Sequence, residues 1–132
     1  MENVIRFFKF WLPPLLYMSF IVFLSSLSKP TGNLSLFKGA DKIAHFFEYM
    51  ILSILVTRAV NLTFSFKKKS YGILLVLSIT LLFGISDEIH QYFVPNRSME
   101  LGDIISDLIG IIFGIFVYTL FTKEAKSSSP AL

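Results

Sequence analysis

The sequence predicts an all-α, polytopic membrane protein: a four-helix transmembrane bundle with both termini in the cytoplasm. Three observations predict it. Hydrophobic residues make up 54% of the 132 residues and the mean hydropathy is +0.68, more apolar than an ordinary soluble domain of this size. Four apolar stretches are each long enough to cross a hydrocarbon core of about 30 Å at about 1.5 Å per residue. The basic residues are also divided unevenly between the two ends of those stretches.

The first span runs from Trp11 to Leu27. Arg6 and Lys9 precede it and "SLS" at 26–28 has a small-x-small pattern, so a signal peptide is the alternative. The run is long for a signal segment and holds Pro13 and Pro14, so no cleavage is expected. The second span runs from Ile43 to Val60. The third runs from Tyr71 to Ser86, and its pattern continues to Phe93, where "VPNRS" supplies the breakers Pro95 and Asn96. The fourth runs from Ile104 to Phe121. Residues 1–122 are thus read as one membrane domain, and "KEAKSSSPAL", 123–132, as a flexible cytoplasmic tail.

Charge sets the orientation. With the N-terminus inside, Arg6, Lys9, Arg58, Lys67, Lys68, Lys69, Lys123 and Lys126 are cytoplasmic, against Lys29, Lys38, Lys42 and Arg97 outside. "FKKKS" at 66–70 then marks a cytoplasmic loop beside anionic lipid head groups, and no nucleic-acid partner is expected. Asp41, Glu48, Asp87, Glu88, Glu100, Asp103 and Asp107 fall on the outer half, with both histidines, His45 and His90. The absence of cysteine excludes disulfides and thiol chemistry.

Why do charges interrupt apolar spans? In "DKIAHFFEYM", Asp41, His45, Glu48 and Tyr49 fall at i, i+4, i+7 and i+8, on one helical face. Glu48 lies about 10 Å along the helix from Asp41, inside the hydrocarbon zone. A charge there costs roughly 2.5–3.5 kcal/mol, so these groups should face the bundle and be paired. In the third span Asp87, His90 and Gln91 share a face at i, i+3 and i+4, and Glu88 meets Gln91. In the fourth, Asp103 and Asp107 are at i, i+4, and Asp103 is also a candidate N-cap. Gly110 and Gly114 follow on the same stripe and read as packing, with Gly84 a candidate facing surface. Ser25, Ser26 and Ser28 end the first span at the same level, in a supporting role. The expectation is one outward-opening polar cavity in which the acids pair with Lys42, Arg97 and the histidines.

These motifs resemble the VanZ-like family of bacterial membrane proteins, over roughly residues 20–118 as judged by motif positions. The resemblance rests on "SS" at 25–26, "DKIAHFFEY" at 41–49, "DEIHQYFVPNRS" at 87–98 and "GDIISDLIG" at 102–110. It implies an integral membrane protein of the cell envelope, in a family whose founding member is linked to resistance to the lipidated glycopeptide teicoplanin. The family positions carried over are Asp41, Lys42, His45, Tyr49, Asp87, Glu88, His90, Gln91, Arg97 and Asp103. One departure stands out: the family often has Asn near the position of Asp107, where this chain has a carboxylate.

Three readings stay open. The first is an enzyme acting on an amphiphilic envelope substrate at the outer face. His45 or His90 would be the acid or base. Asp41 or Asp87 would orient it, beside Glu88. Lys42 and Arg97 would hold an anionic head group, with Tyr49, Gln91, Glu48, Asp103 and Asp107 lining the substrate site. Acyl, glycosyl and phosphoryl transfer all fit, and no G-x-S-x-G is present. The second is a binding or transport protein for an envelope ligand, which suits a homo-oligomer in contact through Gly110 and Gly114, unless these pack within one chain. The third is a polar network that only fixes helix register. Mixed His and carboxylate sets suit Zn, Mn or Fe. There is no H-E-x-x-H, however, and Lys42 and Arg97 can satisfy the acids, so neither a metal nor another cofactor is expected.

Overall fold

A computed structural model of the chain describes residues 2–28 and 39–127. They form four helices: α1 (Glu2–Ser25), α2 (Ala40–Thr63), α3 (Lys69–Tyr92) and α4 (Leu101–Ser127). There is no strand among the described residues. Each helix contains a segment long and apolar enough to cross a membrane. The all-α, four-span reading therefore holds. Lys29 and Lys38, two of the four basic residues assigned outside, lie beyond the described residues, as do residues 128–132 of the expected tail. Helix α4 itself continues to Ser127, into the stretch read as tail.

The helices are longer than the apolar runs because polar residues at each end prolong the same hydrogen-bonded ladder. Pro13 and Pro14 lie inside α1 without ending it. Prolines are tolerated in membrane helices where neighbouring groups and local adjustment re-satisfy the freed carbonyls. Helix α2 is the central element: 44% of its span is buried, against 11% for α1. Its closest partner is α4. The glycine stripe explains the closeness. A Cβ at Gly110 would collide with the Phe46 carbonyl, and one at Gly114 with Ser53 Oγ and the Met50 carbonyl. Both glycines are thus used within the chain, to bring α4 against the backbone of α2.

Ile21, Leu52, Val56, Val60, Val76, Ile111 and Ile115 form the apolar core. Phe8, Leu16, Phe23, Leu82, Ile112 and Phe121 point outward instead, a distribution suited to lipid rather than water. Trp11 Nε1 donates to Thr63 Oγ1 at 3.0 Å, tying the first half of α1 to the end of α2. At the other end, Val94-Pro95-Asn96-Arg97 closes a tight turn. Arg97 N donates to Val94 O at 3.1 Å and Asn96 takes φ 62°, the signature of a type II turn with Pro at its second position. This turn carries Arg97 back toward α1.

Candidate functional site

The site lies where the N-terminal turns of α2 and α4 meet the C-terminal turns of α3. Its centre is His45 on α2. His45 Nδ1 lies 2.9 Å from Asp107 Oδ1 on α4, and His45 Nε2 lies 3.8 Å from Glu88 Oε1 on α3. Each of the three is at least nine-tenths buried. The two distances differ in kind: 2.9 Å is a hydrogen bond, and 3.8 Å is too long for one. With Asp107 ionised, Nδ1 is the donor to it, and Nε2 is the ring atom that faces Glu88. Glu88 is held from behind, its Oε2 accepting from Glu100 N at 3.1 Å. The Tyr49 ring lies parallel to the His45 ring, one helical turn on, with centroids 6.4 Å apart.

Close helix approach makes this geometry. Gly84 on α3 leaves room for α2 and α4 together, since a Cβ there would lie 3.1 Å from both Asp107 Oδ2 and Tyr49 Cε1. Four buried atoms around this centre have no hydrogen-bond partner among the described residues: Tyr49 Oη, Asp87 Oδ1, Glu88 Oε1 and Asp107 Oδ2. Leaving such groups unpaired costs free energy, so their concentration here marks a place built for something other than packing.

A second group forms the rim. Lys42 Nζ donates to Glu100 Oε2 at 2.8 Å and to Asp103 Oδ1 at 3.1 Å, with Asp41 Oδ2 at 3.7 Å. Lys42 and Glu100 keep 39% and 43% of their side-chain surface exposed, whereas Asp103 keeps 4%. The pair therefore faces outward while Asp103 faces in. The Lys42 ammonium, hydrogen-bonded to Glu100, holds the Glu100 carboxyl below the usual glutamate range. Gly102 makes room for Lys42, whose Cε would lie 2.7 Å from a Cβ at that position.

A third group ties α3 to α1. Gln91 Nε2 donates to Asp87 Oδ2 at 3.0 Å, and Arg97 Nη1 donates to Gln91 Oε1 at 3.1 Å. Arg97 Nε and Nη2 donate to the carbonyls of Leu27 and Leu24 at 3.0 and 3.2 Å. Those carbonyls lie at the end of α1, where Leu24 O also accepts from Leu27 N at 3.1 Å.

Several sequence expectations change at this level. Asp107, expected as lining, is the group that orients His45, and neither Asp41 nor Asp87 does so. Asp41 precedes His45 by a full turn on the same helix, whereas Asp107 reaches across because Gly110 brings α4 close. Asp103 is not an N-cap. It sits inside the first turn of α4, and its carboxylate accepts from Lys42. Arg97 pairs with no acid among the described residues but clamps α1. Gln91 bonds Asp87 rather than Glu88. His90 is exposed and lies 3.0 Å from Ser26 Oγ on α1, away from His45. Two residues along a helix is about 160° of separation, so with Glu88 turned to the centre His90 must turn away. Glu48 is half-buried and makes no hydrogen bond or ion pair with a described residue. Sequence reasoning missed Glu100 as a participant. The available signal was its place immediately before α4, where its backbone N–H is free to leave the helix and bind Glu88.

A cavity of about 600 Å³ lies at the opposite end of the bundle, lined by Asn61, Phe66, Lys69, Thr119, Thr122 and Lys123 among others. No histidine or carboxylate among the described residues lines it.

Four membrane-length helices, three of which bury a histidine–carboxylate cluster at one end, define a small polytopic membrane protein with an ionisable site inside the bundle. The chain belongs to the VanZ/LLP1 family, which it matches over residues 2–122. No curated protein and no solved structure matches it.

Proposed function

We propose that this VanZ-like protein acts on the head group of an amphiphilic component of the bacterial cell envelope, at the extracytoplasmic face of the cell membrane, with His45, Glu88 and Asp107 as the reactive centre. The observation that carries the reading is the 2.9 Å bond between His45 Nδ1 and Asp107 Oδ1. It fixes the ring and leaves Nε2 as the working atom, able to take a proton from a hydroxyl or water and return it to a leaving group. Glu88, anchored by the Glu100 N–H, balances positive charge that develops on the ring. Lys42 and Glu100 form the rim, and an anionic head group competes with Glu100 for the Lys42 ammonium. Acyl, glycosyl and phosphoryl transfer remain the reaction classes. A lipidated glycopeptide of the teicoplanin kind, as the family resemblance implies, is one amphiphile of the right character. The outward orientation rests on the excess of basic residues at the other end.

A second reading, binding without turnover, is favoured by one observation. All three guanidinium nitrogens of Arg97 are engaged within the protein, so the anion clamp expected of an enzyme is reduced to Lys42.

Purified protein incubated with total envelope lipids and examined by mass spectrometry tests the proposal. A covalently altered lipid, absent with His45→Ala, is expected. Saturable binding with no altered species selects the second reading. The chain has no cysteine, so Ser98→Cys and Lys68→Cys test the orientation separately. An impermeant maleimide added to intact cells should label the first and spare the second.

A further inference from the structure

The reason for expecting no metal was that Lys42 and Arg97 would take up the acids. They do so for one acidic group only. Lys42 is engaged by Asp41, Glu100 and Asp103, and Arg97 by Gln91 and two carbonyls. Neither forms an ion pair with Asp87, Glu88 or Asp107. Glu88 and Asp107 are therefore buried beside one imidazole, and Asp87 is buried against Gln91, with no lysine or arginine paired to any of the three among the described residues. Burying carboxylates without a positive partner is expensive.

The arrangement of lone pairs is specific. One atom each from His45, Glu88 and Asp107 can be chosen so that all lie within 4.8 Å of one another. Metal–ligand distances of about 2.0–2.2 Å place tetrahedral ligand atoms about 3.3–3.6 Å apart, so closing this set needs side-chain movements of up to about an ångström or slightly more. A second, independent observation points to a ligand. Tyr49 Oη and Asp87 Oδ1, outside that set, are also buried without hydrogen-bond partners among the described residues, and the Tyr49 ring edge and Asp107 Oδ2 both border the space beside Gly84. The acids Asp41, Glu100 and Asp103 also come close together, but Lys42 already occupies their centre.

We propose that His45, Glu88 and Asp107 bind one divalent transition-metal cation of the class that prefers mixed imidazole and carboxylate ligands, Zn²⁺ or Mn²⁺. The inference rests on the reading above in taking the same centre as the reactive one, and it changes the part played by His45. Where the cation occupies His45, the ring is a ligand rather than a proton carrier. Such a cation supplies Lewis acidity and lowers the proton affinity of water bound to it. Asp87 Oδ1 and Tyr49 Oη then have a polar neighbour to meet. An oxygen-and-nitrogen set without thiolate suits either metal, and the experiment separates them.

Full-length protein in detergent is incubated with ZnCl₂ or MnCl₂, desalted, and assayed for metal by mass spectrometry and for thermal stability. About one ion per chain is expected for one of the two metals, with a melting temperature that rises with the ion and falls with chelator. His45→Ala and Glu88→Gln should each lower retained metal at least tenfold, and His90→Ala, away from the centre, should leave it unchanged. Two results overturn the proposal. One is no retention of either metal by the unaltered protein, with a melting temperature indifferent to ion and chelator. The other is retention undiminished in His45→Ala and Glu88→Gln, which places the ion elsewhere. The unaltered protein alone can deliver the first result, so a misfolded variant does not shield the idea. Metal content is read without substrate, so failure to find turnover leaves this result intact, and the reverse.

Discussion

Asp107 Oδ1 lies 2.9 Å from His45 Nδ1, across the interface of two helices whose backbones touch at Gly110 and Gly114. This bond joins sequence positions 62 residues apart inside an apolar bundle. It sets the direction of the imidazole and turns Nε2 toward Glu88.

An asparagine at 107 can still accept from Nδ1–H, while losing the negative charge. Asp107→Asn is therefore expected to keep the fold and part of the activity, whereas Asp107→Ala frees the ring and lowers turnover by about 10²–10⁴-fold. Turnover of the lipid substrate, with circular dichroism and gel filtration as fold controls, checks the pair. Equal activity in both variants would remove Asp107 from the mechanism.

Gly114 has no space for a Cβ against Ser53 and the Met50 carbonyl. Gly114→Val should separate α4 from α2, at a cost of about 1–3 kcal/mol or more. Thermal unfolding in detergent checks this. A variant as stable as the parent would show that the glycine stripe is not needed for packing within the chain.

Arg97 donates to two carbonyls at the end of α1 and to Gln91. Arg97→Ala should loosen the C-terminal end of α1 and raise amide exchange around residues 24–28, with α2 and α4 unaffected. Lysine offers a point charge in place of a planar fork, so Arg97→Lys should restore the protection only in part. Unchanged exchange in both variants would leave Arg97 free for a ligand instead.

The Glu100 carboxyl is held below its ordinary range by Lys42. A lowered acid stabilises the folded state above its unfolded pKa, and that contribution fades as pH falls through the lowered folded value. Parent and Glu100→Gln should therefore differ most near neutral pH and converge in strong acid. The difference is small, about 0–1 kcal/mol, because both partners are partly exposed and screened. Melting temperatures from pH 7 to 3 check the sign. A difference that grows in acid would contradict it.

The membrane spans were legible because they are a matter of composition and length. The shared face of Asp41, His45 and Tyr49 was legible too, since helical period alone places those residues. The partners were not. Whether Asp41, Asp87 or Asp107 reaches His45 depends on the rotation of α4 about its axis, which Gly110 and Gly114 set only once their contact with α2 is known. His90 shows the same limit. Its spacing from Asp87 put it on a polar face, but the face that meets α1 and the face that meets α2 differ by a rotation that spacing does not give. Arg97 was read by its charge, while its role follows from a turn geometry that returns it to α1.

A double-mutant cycle on His45 and Asp107 tests the central claim, that polar groups from separate helices meet at one buried centre, most directly. His45→Ala, Asp107→Ala and the double variant are unfolded in detergent and their stabilities compared. The account expects a coupling within about 0.5–3 kcal/mol, with the double variant no worse than the more damaging single change. Losses that add to within about 0.3 kcal/mol would contradict it, because two residues that do not meet lose nothing in common.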